Sequence, residues 1–194
     1  KVKVIYHGIK IEDFNPVKAN SNTPVVIGTA GRLTAQKGQK FLIEAARILK
    51  DKGLKFKVRI AGTGEDEEAL KALISSKDVG DVVEMVGFVE DIPSFMSQLD
   101  FFVLPSTWEG FGFAIVEAMA CSNPVVAFNM TSNPEIISDG QTGLLAIPEN
   151  ALALASQMER LLSDSAMRVE MGSKARRSVE ERFRIEDRID ELES

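Results

Sequence analysis

Hydrophobic positions along this chain follow two alternating rhythms. Short apolar runs at "VVIGTA" (25–30), "VVEMVG" (82–87), "FFVLPS" (101–106), "PVVAF" (124–128) and "GLLAI" (143–147) read as buried strands. "FKVRIAG" (56–62) alternates apolar with basic residues, which suits a strand near a sheet edge. Between these runs the spacing becomes helical. Phe41, Leu42, Ala45, Ile48 and Leu49 recur after the first strand, and Ala69, Leu70 and Leu73 punctuate the charged stretch 65–76. "IPSFMSQL" (92–99) reads as a short helix, and another is expected from about Gly112 to Cys121. Strands alternating with helices require right-handed crossovers, so the pattern predicts an α/β fold. Its core would be a Rossmann-like parallel sheet with helices on both faces.

The end of the chain differs. Met167, Met171, Ala175, Val179 and Phe183 form a stripe at every fourth position, which predicts a docked helix. Ile185, Ile189 and Leu192 make a shorter stripe amid dense charge.

Composition narrows the classes. The 194 residues are 44% hydrophobic and 27% charged, as in an ordinary globular protein. A formal charge of −6 argues against a general nucleic-acid binder, which needs a basic face. Cys121 is the only cysteine, so no intrachain disulfide or cysteine-based zinc site forms, and it reads as a small core residue. The apolar runs are too short to span a bilayer and no signal peptide is visible, so a cytoplasmic location is expected. With "KVKVIYHG" in place of an initiator Met, the chain is expected to start inside a longer protein.

In an open parallel sheet, ligands bind beyond the carboxyl ends of the strands. Four glycine-rich or polar loops fall there: "GRLTAQKG" (31–38), "AGTGED" (61–66), "GFVED" (87–91) and "PSTWEGFGF" (105–113). Arg32 and Lys37, between Gly31 and Gly38 and just before a helix, suit a diphosphate; the other reading is a solvated basic loop. Gly62 and Gly64 lack the full dinucleotide fingerprint and read better as tight-turn residues. Glu109 and Glu117 stand eight positions apart, the first beside Gly110 and Gly112, the second in an apolar run. Such carboxylates call for an ion pair or a polar ligand. Glu109 at the crevice mouth could accept from sugar hydroxyls, and Glu117, deeper, from a vicinal diol such as a ribose. His7, the only histidine, reads as a linker or packing residue, and Trp108 as either pocket-lining or packing.

These motifs together are familiar. "PSTWEGFGFAIVEAMA" resembles the E-x7-E motif of retaining glycosyltransferases with the two-domain GT-B fold. "VIYHGIKIEDFNP" is similar to that family's interdomain linker, "GRLTAQKGQKFLIEA" to its diphosphate loop and "NPEIISDGQTGLLA" to its closing segment. The resemblance covers nearly the whole chain and implies the C-terminal, donor-binding half. Residues 1–24 would be the linker, 25–164 the nucleotide-sugar-binding domain, and 165–194 helices that dock on it and reach toward an N-terminal half.

On the same resemblance, Gly31, Arg32 and Lys37 hold the donor diphosphate, and Gly62 belongs to the site. Glu109, Gly110, Phe111, Gly112 and Phe113 meet sugar and phosphate. Glu117 holds the ribose, while Gly87, Phe88 and Val89 border the base. Arg32, Lys37 and Glu109 are the expected catalytic residues. No metal or other cofactor is expected, and no Asp-x-Asp motif occurs. The expected partners are a nucleotide-diphosphate sugar and, through the N-terminal half, a glycan, lipid or small-molecule acceptor; any membrane contact would come through that half. Ser122, Thr131 and Ser132 depart from the family, which usually has glycine there. Two other classes stay open: a GT-B-like sugar-nucleotide epimerase, and a non-catalytic nucleotide-binding or interaction module.

Overall fold

In a computed structural model, residues 6–16 and 24–193 are described. Six strands form one sheet: β1 (Val25–Ala30), β2 (Phe56–Ala61), β3 (Val83–Gly87), β4 (Phe101–Leu104), β5 (Val125–Phe128) and β6 (Gly143–Ala146). Their order is β3-β2-β1-β4-β5-β6 and every neighbouring pair is parallel. The helices are α1 (Gln39–Asp51), α2 (Glu67–Ser76), α3 (Ile92–Ser97), α4 (Phe113–Ala120), α5 (Asn133–Ile136), α6 (Ala151–Ser163), α7 (Ser165–Arg182) and α8 (Ile185–Glu193).

Side-chain alternation along the strands splits the core in two. Ile27, Phe101, Val103, Val126 and Phe128 share a cluster with buried residues of α1, α2 and α6. Phe102, Leu104, Val125 and Ala127 point to the other face and pack with α3, α4 and α7. The expected α/β fold with helices on both faces is therefore the observed one. Cys121 is buried in the second cluster, where desolvation pushes its thiol up to about 12.

The edge strands are β3 and β6, and β2 lies next to β3, near the edge as its alternation suggests, with Lys57 exposed and Phe56 and Val58 buried. Several other local details differ from expectation. Ala69 faces solvent, leaving Leu70 as the buried residue of α2. The α7 stripe is buried at Met171, Ala175 and Val179 and continues into Phe183. In α8 Ile189 is exposed, and the Leu192 side chain lies outside the described residues, as do 1–5 and 17–23 of the expected linker. Helix α6 was not anticipated. Asn150 caps it by accepting from the Ala153 N–H at 2.9 Å, and Leu154, Ala155, Met158 and Leu161 bury its inner face. Among the described residues, no helix is long and apolar enough to cross a membrane.

Gly38 is where the fold fixes the site. It begins α1 at φ 66°, and a Cβ there would lie 2.1 Å from the Pro105 carbonyl oxygen, in the loop after β4. Only glycine allows both the left-handed backbone and that approach. Gly140 also has a positive φ, 73°, but a Cβ there would meet nothing within 4 Å. Gly140→Ala is therefore expected to cost about 1 kcal/mol from backbone strain alone. Gly38→Ala should cost at least ~3 kcal/mol, since the collision adds to the strain. Thermal melting of the two variants measures the difference.

Candidate functional site

The order of the sheet reverses between β1 and β4, and the loops leaving these strands open a crevice. Two adjoining cavities occupy it, sharing Ala30, Gly31, Arg32 and Ile92. The larger, about 440 Å³, is lined also by Lys37, Leu104, Glu109, Phe111, Gly112, Phe113, Ala114 and Glu117. The smaller, about 210 Å³, adds Ala61, Gly62, Thr63, Phe88 and Val89. Most of the residues singled out from the sequence thus come together. Gly87 and Gly110 line neither cavity. Gly87 instead accepts the Gly62 N–H through its carbonyl at 2.7 Å, and Gly110 is exposed.

The loops are laced together by backbone and side-chain bonds. Leu33 N–H donates to the Thr63 carbonyl at 2.9 Å, and Gln39 Nε2 reaches back to the Arg32 carbonyl at 2.9 Å. Gly62 is required on two counts: its φ is 132°, a backbone conformation that favours glycine, and a Cβ would lie 1.9 Å from the Gly31 carbonyl oxygen. On the other side, Thr107 N–H donates to the Gln36 carbonyl at 2.8 Å, and Gln36 Nε2 to the Trp108 carbonyl at 2.9 Å. The Trp108 side chain is exposed and lines neither cavity.

The two glutamates differ in state. Glu109 is 9% exposed and accepts from Lys37 Nζ at 2.6 Å, so it has an ion-pair partner before any ligand arrives. Glu117 has no such partner among the described residues, and desolvation raises its pKa above the usual carboxylate range. Arg32 is exposed, with no side-chain partner among the described residues. Helix α4 begins at the cavity wall with no side-chain cap and no acidic residue in its first turn. Its positive end is left for an anion, between Glu109 and Glu117.

His7 packs its ring against Phe111 and Phe113, at centroid distances of 5.5 and 5.3 Å. Phe111 also meets Phe183 at 5.8 Å, and Tyr6 donates to Glu135 Oε2 at 2.9 Å. Packing is thus the role the structure gives His7. Six lining residues were not among the candidates: Ala30, Ala61, Thr63, Ile92, Leu104 and Ala114. They carry no charge or glycine signal, and in sequence they look like ordinary strand, loop and helix residues.

Comparison with known proteins adds to this geometry. The family model for glycosyl transferases group 1 matches residues 10–178. Amylovoran biosynthesis glycosyltransferase AmsK of Erwinia amylovora is 38% identical over 192 residues, 94% of this chain and 47% of that protein. Alpha-D-kanosaminyltransferase of Streptomyces kanamyceticus is 36% identical over 154 residues, covering 78% of this chain and 40% of the relative. The chain therefore spans about half the length of the curated relatives it matches. Among solved structures, HepE of Anabaena in complex with UDP and glucose superposes with a TM-score of 0.88 at 27% identity, over 98% of this chain and 55% of that one. The C-terminal domain of a group 1 glycosyl transferase, LpcC of Francisella tularensis, does so at 0.82 and 29%, over 92% of this chain and all (100%) of that one.

The raised pKa of Glu117 sets a pH dependence. In the window from the ordinary glutamate value of 4.5 up to its folded value, the folded chain binds more protons than the unfolded chain. Stability from this group is therefore lost as pH rises through that window. Glu117→Gln removes the cost of a desolvated charge. Without ligand, it should melt higher than the native chain at pH 7, with the gap closing toward pH 4 (roughly the lower end of the window). Melting curves across this range check it.

Proposed function

We propose that this chain, which belongs to the glycosyl transferases group 1 family, is the donor-binding half of an enzyme that transfers a sugar from a nucleotide-diphosphate sugar with retention of configuration. The observation that carries the reading is the pair of adjoining cavities at the β1–β4 crevice, with Arg32, Lys37 and the uncapped start of α4 on the larger one. Arginine can bind two phosphate oxygens, lysine adds a point charge, and the helix end adds backbone donors.

The smaller cavity suits the base. Phe88, 76% exposed, supplies an aromatic ring to its lining, beside Val89 and Gly62. Glu117, desolvated and without a side-chain partner among the described residues, would accept from the ribose diol. Glu109 and the backbone of Phe111, Gly112 and Phe113 would meet the sugar. UDP bound to HepE of Anabaena supports a nucleoside diphosphate as the ligand class.

Binding would redistribute charge. Lys37 is held by Glu109 in the free chain, so an arriving diphosphate must share its ammonium. As the glycosyl bond breaks, negative charge grows on the leaving diphosphate, and Arg32, Lys37 and the α4 N-terminus would stabilise it. The acceptor, be it a glycan, a lipid or a small molecule, would be placed by the N-terminal half that the family resemblance implies.

Lys37→Ala tests the phosphate site. The variant loses a charged hydrogen bond, of about 1.5–3 kcal/mol, and leaves the Glu109 carboxylate uncompensated beside the ligand. Affinity for a nucleoside diphosphate should fall roughly 10- to 100-fold by calorimetry, with nucleoside affinity nearly unchanged. Equal losses for both ligands would remove Lys37 from the phosphate site. The chain alone should bind a nucleoside diphosphate yet transfer no sugar, because transfer needs an acceptor in near-attack geometry. If no nucleoside diphosphate binds the folded chain, the reading fails.

A further inference from the structure

The loop after β5 sends two hydroxyls across to the Glu109 peptide. Thr131 Oγ1 accepts from the Glu109 N–H at 3.2 Å, and Ser132 Oγ donates to the Glu109 carbonyl at 3.4 Å. Both polar groups of that residue's backbone are thereby engaged, while Lys37 holds its carboxylate at 2.6 Å. Gln36 grips the neighbouring residues Thr107 and Trp108 from the opposite side.

Thr131 makes its bond at some conformational cost. Its φ is 50°, in the left-handed region, where a β-branched residue is an outlier and glycine is at ease. Backbone requirements alone would favour glycine there, and glycine has no hydroxyl. The position therefore retains strain together with a side-chain contact to a residue that lines the cavity, a combination typical of functional sites. Neither Thr131 nor Ser132 lines either cavity itself, so any effect on a ligand must pass through Glu109.

We propose that Thr131 and Ser132 are positioning residues: their hydroxyls clamp the Glu109 peptide and set the depth at which its carboxylate meets the donor sugar. The inference rests on the reading of this crevice as a nucleotide-diphosphate sugar site. It predicts a larger effect on the sugar than on the nucleotide, because the clamp touches neither Arg32 nor the smaller cavity and reaches Lys37 only through the Glu109 carboxylate.

Four variants separate clamp from scaffold. Thr131→Val keeps the branched shape and loses the hydroxyl, Thr131→Ser keeps the hydroxyl, Thr131→Gly relieves the backbone and loses the hydroxyl, and Ser132→Ala removes the second contact. Two measurements are made on the chain: amide hydrogen exchange at Glu109 without ligand, and calorimetric affinities for UDP, GDP and their glucose, N-acetylglucosamine and mannose conjugates. In Thr131→Val combined with Ser132→Ala, exchange at the Glu109 amide should rise about tenfold. The affinity ratio of nucleotide sugar to nucleoside diphosphate should fall about three- to tenfold, with the nucleoside diphosphate affinity within about twofold of native. Thr131→Ser should keep both native values. Thr131→Gly should melt closer to native than Thr131→Val and yet lose the ratio equally.

A ratio that follows melting temperature across the series, or one unmoved in the double variant, would overturn the positioning role. So would a native chain that binds UDP or GDP but gains nothing from the attached sugar. If no nucleotide binds at all, the reading of the crevice falls, and the exchange rate at Glu109 still decides whether the hydroxyls hold that peptide.

Discussion

The adjacency of β1 and β4 is the constraint on which the rest of this structure depends. The Asp100 carboxylate accepts the Val26 N–H at 2.7 Å across a separation of 74 positions, docking the start of one strand beside the other. With β2 and β3 to one side and β5 and β6 to the other, the order of winding reverses at that seam. A crevice results because the loops after β1 and β4 diverge to opposite faces of the sheet. Gly38 then keeps them close enough to share one cavity wall.

Within that crevice charge is balanced before any ligand arrives. Lys37 and Glu109 neutralise each other with little exposure to water, whereas Arg32 and the start of α4 face the opening. An uncompensated carboxylate or ammonium at this depth would be costly, and each charge of the pair offsets the desolvation of the other. Glu117 lacks a side-chain partner among the described residues, and burial raises its pKa.

The loop bearing Phe111 and Phe113 is also tied to both ends of the described chain. Phe111 contacts Tyr6, His7 and Phe183, while the Ile9 N–H donates to the Phe183 carbonyl at 2.9 Å and the Ile185 N–H to the Ile9 carbonyl at 3.1 Å. The segment before β1 and the α7–α8 junction thus form one paired strap against the cavity loop. A displacement of that strap would bear directly on Phe111. Such packing gives an otherwise exposed glycine-rich loop a rigid support.

The sequence by itself determined the strands, their alternation with helices and the loops that carry charge and glycine. Those features are local: a run such as Phe101–Leu104 is apolar throughout because both faces of a parallel strand are buried. Helix α6 escaped because "ALALAS" opens with a period of two and Leu152 faces solvent, which hides its later helical spacing. Only the tertiary structure decided that Glu109 pairs with Lys37, that Glu117 has no partner among the described residues, and that Gly62 sits against the Gly31 carbonyl. It alone showed that the hydroxyls of Thr131 and Ser132 reach the Glu109 backbone. The physical reason is common to all four. Hydrophobic periodicity is written in neighbouring residues, whereas an ion pair, a desolvated charge or a close backbone approach depends on groups brought together from loops far apart in the chain.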